Sequence, residues 1–132
     1  MSNVTAVAGM FAGCSDLPLG LKEWDVSKIE DFTYMFANTT LNTYFTDLTT
    51  WKTESAKHFE GMFAESLFKT INLKGWMTKT VLNFNTMFTN CPNLTHIYGL
   101  EDWDTSAGKT FSDIFALCPR LQELNLSSWT TT

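Results

Sequence analysis

Val81-Leu-Asn-Phe84-Asn-Thr-Met87-Phe88-Thr-Asn-Cys91-Pro-Asn-Leu94, followed by Leu100-Glu-Asp-Trp103-Asp-Thr-Ser106, decides the reading of this chain. Its marked residues recur along the whole sequence. Met-Phe pairs stand at 10–11, 35–36, 62–63 and 87–88, and Ile114-Phe115 is a conservative fifth copy. The five tryptophans, Trp24, Trp51, Trp76, Trp103 and Trp129, fall in one column. From each Trp to the next Met or Ile the distance is 11 residues every time, while the return arm varies between 14 and 16. Insertions are therefore confined to the arm between Met-Phe and Trp. Self-similarity at a fixed period marks a repeat architecture.

Further columns follow from this register. Leu21, Leu48, Leu73, Leu100 and Leu126 each precede a Trp by three residues. Val7, Phe32, Phe59, Phe84 and Phe111 precede the Met column, and Cys14, Thr39, Ser66, Cys91 and Cys118 follow it. Nine of the 11 Phe lie in two columns, which commits the aromatics to a common core. The spacing of Ile29, Phe32, Met35 and Phe36 is that of one buried helical face. Ser27 to Glu30 reads as a capping box, and Pro92 and Pro119 as helix stops. The alternation in Leu19-Gly-Leu21, Ile71-Asn-Leu73 and Leu124-Asn-Leu126 predicts short strands. A unit this short cannot bury its own apolar stripe, so the units must stack. The expectation is an α/β, leucine-rich-repeat-like solenoid of five helix–loop–strand units. Their boundaries fall near 3–27, 28–54, 55–79, 80–106 and 107–132, with a parallel sheet on one face. The Trp and Leu columns form its structural ladder.

The motif M-F-x-x-C-x-x-L, then L-x-x-W-D-T-S, resembles the bacterial surface-protein repeat of about 26 residues found in mycoplasma-type lipoproteins and adhesin-like proteins. Here it reads Met87-Phe88 through Leu94 and Leu100 through Ser106. The resemblance implies a right-handed leucine-rich-type solenoid at the cell surface, with a binding or adhesion role and no family-wide catalytic residues. The chain shows no signal-peptide anatomy around Phe11-Ala-Gly-Cys14, because its first basic residue is Lys22.

Composition narrows the partners. Nine Lys+Arg against 14 Asp+Glu give a net charge of −5, and Arg120 is the only arginine, which argues against nucleic acid and anionic membranes. The longest uncharged stretch, Thr80 to Leu100, carries four Asn, a Pro and a His, so no membrane span is expected. His58 and His96 stand 38 residues apart, with no nucleophile or ligand spacing around them. The acidic turn around Glu101, Asp102 and Asp104 meets Lys52 and Lys74 in other units, so no calcium ladder is expected. No catalytic residue, metal or cofactor is expected. The cysteines are read as buried free thiols, because helices packed about 10 Å apart would hold Cys91 and Cys118 beyond disulfide reach.

What remains is recognition. Lys22, Asp47, Thr49, Asn72, Lys74 and Glu101 flank the Leu column and are the candidate binding face for a protein or cell-surface ligand. The alternative is a structural subunit. The sequence carries no terminal cap, and uncapped units would self-associate end to end into a filament or larger array.

Overall fold

Tight turns build this chain. The computed structural model describes residues 4–15, 20–39, 48–122 and 124–129. In the segment from Phe84 to Asn90, alternate amides have different destinations. Met87 N–H closes a turn on Phe84 O at 3.4 Å, and Thr89 N–H closes the next on Thr86 O at 3.1 Å. The intervening amides point sideways. Phe84, Thr86, Phe88 and Asn90 donate to Thr110, Ser112, Ile114 and Ala116 of the next coil at 3.0, 2.8, 2.9 and 2.7 Å. The same four-rung ladder joins Val7–Gly13 to the second coil, Phe32–Asn38 to the third and Phe59–Glu65 to the fourth. Parallel bridges Ala6↔Asp31, Asp31↔His58, His58↔Asn83 and Asn83↔Thr110 continue it on one side. Buried backbone groups must find partners; here the neighbouring coil supplies them.

The helix–strand solenoid expected from the sequence does not form. Among the described residues there is no α-helix, only 3-10 turns at Leu21–Glu23 and Leu100–Asp102. The only sheet among the described residues pairs β1 (Thr70–Asn72) with β2 (His96–Tyr98), parallel, with Ile71 opposite Ile97. Most of the remaining described backbone is turn and coil. The physical reason lies in the period. Tandem four-residue turns bury Phe32, Met35, Phe36 and Thr39, which is the i, i+3, i+4, i+7 stripe of a helix. The four-residue turns over 32–35 and 36–39 each hold their third residue at positive φ, as a type II turn requires, whereas the turn between them, closed by Ala37 N–H on Tyr34 O, does not. Gly9, Tyr34, Gly61, Thr86 and Asp113 occupy one such column, at φ from 54° to 67°. Gly13, Asn38, Glu65, Asn90 and Leu117 occupy the other, at 55° to 75°. An α-helix cannot pass through such residues.

The other local expectations change with it. Ser27 N–H and hydroxyl both bond Asp25 Oδ1, at 3.0 and 2.7 Å, and Glu30 pairs with Lys57 at 2.5 Å, so no capping box forms. Ile71 lies within β1, Leu21 opens a 3-10 turn, and Leu124 and Leu126 sit in coil. Leu19 lies outside the described residues.

The invariant L-x-x-W spacing is also a turn. Each Trp N–H bonds the O of the Leu three residues before it, in all five coils, at 3.0 to 3.2 Å. The indole then reaches backward to the previous coil. Trp51, Trp76 and Trp129 Nε1 donate to Leu21, Leu48 and Leu100 O at 3.0, 2.9 and 2.9 Å. Trp103 breaks the series: its Nε1 is buried without a partner. Trp51, Trp76 and Trp103 and the leucines from Leu21 to Leu100 are buried, whereas Trp24, Trp129 and Leu126 are half-buried.

Phe11, Phe36, Phe63, Phe88 and Phe115 form a continuous stack through the core. Successive ring centroids are 5.8, 5.5, 5.6 and 5.7 Å apart, and the planes lie within 14° of parallel. Each such pair contributes about 0.5–1.5 kcal/mol beyond the area it buries. A hydroxyl ladder runs beside the tryptophans, two residues after each. Thr53 Oγ1 donates to Met77 O at 2.8 Å and Thr78 Oγ1 to Asp104 O at 3.0 Å, and both side chains are buried.

Candidate functional site

The stacking that buries the Leu and Trp columns turns the residues between them outward. Lys22, Lys74 and Glu101 occupy the same turn position in their coils, two residues before the Trp, and all three are exposed. Thr49 shares that position and is half-buried. Asp47 lies outside the described residues. Asn72 behaves differently from the sequence expectation. Its Oδ1 accepts the Lys74 N–H at 3.2 Å, so the carboxamide fastens the turn that presents Lys74. Asn125 repeats the arrangement in the last coil, accepting Ser127 N–H and Oγ at 3.1 and 2.7 Å.

Glycine sets the separation of two of these coils. A Cβ on Gly99 would lie 2.6 Å from Lys74 N and 2.8 Å from Leu73 C, so the two backbones touch there. Gly99 also takes φ 99°, a conformation that side chains rarely adopt. The contact brings Lys74 beside Tyr98 and Glu101. Tyr98 is 42% exposed, unusual for so large a ring, and it stacks on His96 at 5.8 Å with the planes 5° apart. His96 Nδ1 lies 3.0 Å from Thr95 Oγ1. This pair is not legible in the repeat register, because it lies in the variable arm between Met-Phe and Trp. The exposed phenol and imidazole of β2 thus lie on the coil that carries Glu101, next to the coil that carries Lys74. Such a region can offer stacking area and both signs of charge to a partner.

The acidic turns are occupied locally. Asp25 accepts from Ser27, and Asp104 Oδ1 accepts Ser106 N–H at 3.0 Å. These serine hydrogen bonds, to hydroxyl and then backbone, hold both carboxyls below the usual aspartate range. Among the described residues, no three His, Cys, Asp or Glu side chains gather to hold a metal ion. No helix among them is long and apolar enough to cross a membrane.

The column holding the cysteines is closer-knit than helices would allow. Cys91 is fully buried, and Cys14 and Cys118 are half-buried; all three are free thiols. Each thiol of the later pair bonds the preceding coil: Cys91 Sγ to Phe63 O at 3.2 Å and Cys118 Sγ to Phe88 O at 2.9 Å. Ser66 Oγ stands 3.6 Å from Cys91 Sγ, one coil back in the same column. The separation of about 10 Å expected from helix packing is replaced by the spacing of hydrogen-bonded strands, about 4.8 Å. The neighbouring Cys118 sulfur, and then burial, push the Cys91 thiol up, while the Cys91 thiol beside it pulls Cys118 down.

Comparison with family models gives one match, a family described as Mycoplasma protein of unknown function, DUF285, over residues 1–97 and again over 65–132. Comparison with curated proteins and with solved structures gives no match.

Proposed function

We propose that this chain, which belongs to the Mycoplasma DUF285 family, is a non-catalytic recognition module of surface-protein type. It takes a protein or cell-surface ligand on the face that carries Lys22, Thr49, Asn72, Lys74 and Glu101, and that Tyr98 and His96 extend. The exposed Tyr98–His96 stack carries this reading. Tyr is enriched at the centres of protein interfaces, because it offers large area at low entropic cost and a hydroxyl for orientation. Rigid backbone beneath the ring favours the same use: β2 fixes Tyr98, and Gly99 is pressed against Lys74. The resemblance to adhesin-like surface repeats supports the direction of the proposal.

The experiment is binding of labelled protein to intact host cells, comparing wild type with Tyr98→Ala/Lys74→Ala. Both side chains are exposed, so the folded state should melt at nearly the wild-type temperature. Saturable binding that falls at least about tenfold in the double variant supports the reading, since a central interface aromatic carries 2 kcal/mol or more. Absence of saturable binding, or equal binding by both proteins, overturns it.

A second reading, end-to-end self-association, has one observation in its favour. Leu117 is 72% exposed beside half-buried Phe115 and Cys118 on the fifth coil. Sedimentation velocity of wild type and Leu117→Glu separates it from ligand binding: growth with concentration, abolished by the charge, is its signature.

A further inference from the structure

We propose that Cys91 and Cys118 form a peroxide-responsive dithiol, closing reversibly into a disulfide that staples the fourth coil to the fifth. The two residues occupy one column on adjacent coils. The ladder between Phe84–Asn90 and Thr110–Ala116 sets their backbones at hydrogen-bonding distance, the last rung being Asn90 N to Ala116 O at 2.7 Å. Strand-like spacing of about 4.8 Å falls inside the 4.4–6.8 Å that a disulfide needs between Cα atoms. One coil back, the same column already brings Ser66 Oγ to within 3.6 Å of Cys91 Sγ. Both thiols are directed alike, each onto the Phe carbonyl of the coil before it.

The two cysteines are unequal, as a reactive and a resolving thiol must be. Cys118 is half-buried and lines an open depression with Asn90, Pro92, Phe115, Leu117 and Pro119, so a small oxidant can reach it. Cys91 is sealed beneath it. The Cys91 thiol beside it favours the Cys118 thiolate, the nucleophilic form. Cys14 serves as an internal control, because the next coil places Thr39 in its column.

The oxidant is a hydroperoxide. The Cys118 thiolate attacks one peroxide oxygen; an S–O bond forms, the O–O bond breaks, and the alkoxide leaves, taking a proton from water. Cys118 is then a sulfenic acid. The Cys91 sulfur attacks Cys118 Sγ, the S–S bond forms, and the S–O bond breaks. Hydroxide leaves with the Cys91 proton as water. Two thiols are oxidised while one peroxide becomes an alcohol and one water. A thiol reductant reverses the link by exchange.

The test treats the native, full chain with one equivalent of hydrogen peroxide and maps peptides without reduction. The expected product is the Cys91–Cys118 cross-linked peptide, with Cys14 still a thiol and a higher melting temperature that dithiothreitol reverses. Cys91→Ser should stop at a Cys118 sulfenic acid trapped by a 1,3-dicarbonyl reagent. Serine already stands in this column at Ser66, so the variant retains a tolerated side chain. Cys118→Ser should slow oxidation at least about tenfold, through loss of the accessible thiolate. Cys118 driven to sulfinic acid with Cys91 still free, intermolecular dimers as the main product, or Cys14 oxidised at the same rate would each overturn the proposal.

Discussion

Replacing Trp76 and Trp103 separately with phenylalanine should produce unequal losses, although the two residues share one column. Each substitution removes similar apolar area from a buried site, since the side chains are 4% and 1% exposed. Each also removes an indole N–H. At Trp76 that N–H bonds Leu48 O at 2.9 Å, and its loss removes about 0.5–1.5 kcal/mol of net stabilisation. Leu48 O keeps the Trp51 N–H at 3.0 Å, so no carbonyl is stranded. At Trp103 the N–H is buried without a partner, an arrangement that costs about 1–3 kcal/mol and disappears with phenylalanine. Trp103→Phe should therefore be the milder change by about 1.5–4.5 kcal/mol, which combines the two effects. Paired urea melts of the two variants, with equal slopes, measure the difference directly. Equal losses, or a larger loss for Trp103→Phe, would refute the hydrogen-bond assignment of the Trp column.

Three further outcomes follow from the same packing. Phe63→Ala, which removes the middle ring of the five-ring stack, should cost about 3–5 kcal/mol, whereas exposed Lys74→Ala should stay within about 0.5 kcal/mol in the same melts. Gly61→Ala should cost about 1–2 kcal/mol by thermal melt, because φ is 58° and the new Cβ would meet the Tyr34 ring at 2.2 Å; Gly61→D-Ala in a synthetic chain would remove the backbone share. Native alkylation of Cys118 should rise with pH around a midpoint lowered to about 7 by the neighbouring Cys91 thiol, since only the thiolate reacts. The rate should fall away below that midpoint, and in Cys91→Ala, which leaves no donor there, the midpoint should move up.

The repeat register was legible because it depends on side-chain identity. Trp, Leu, Met and Phe recur wherever one coil must meet the next, and those columns are the core of the folded chain. The backbone was not legible, because spacing alone does not separate tandem type II turns from a helix at i, i+3, i+4 and i+7. The discriminating signal was present in Gly9, Gly13, Gly61, Asn38 and Asn90, the residue types that tolerate positive φ, recurring in two columns. Tyr34, Thr86, Glu65 and Leu117 in the same columns masked it, since such residues rarely adopt that conformation. The Thr53 and Thr78 ladder was hidden for a similar reason. Thr53 between Lys52 and Glu54, and Thr78 beside Lys79, read as surface, yet inter-coil hydrogen bonds allow their burial. The candidate face was half legible. Lys22, Lys74 and Glu101 follow from the Leu register, but Tyr98 and His96 lie in the arm whose length varies. The thiol pair was missed because helix spacing separated what hydrogen-bonded coils bring together.

Stacking of turn-built coils through alternate amides is the claim on which the face, the thiol pair and the stability predictions all rest. Long-range NMR couplings transmitted through hydrogen bonds test it most directly, because they identify each donor nitrogen with its acceptor carbonyl. The account predicts correlations from Phe36 N to the Met62 carbonyl, from Phe63 N to Met87 and from Phe88 N to Ile114. Correlations from these amides to carbonyls four residues earlier in the same segment would show a helix there and contradict the account.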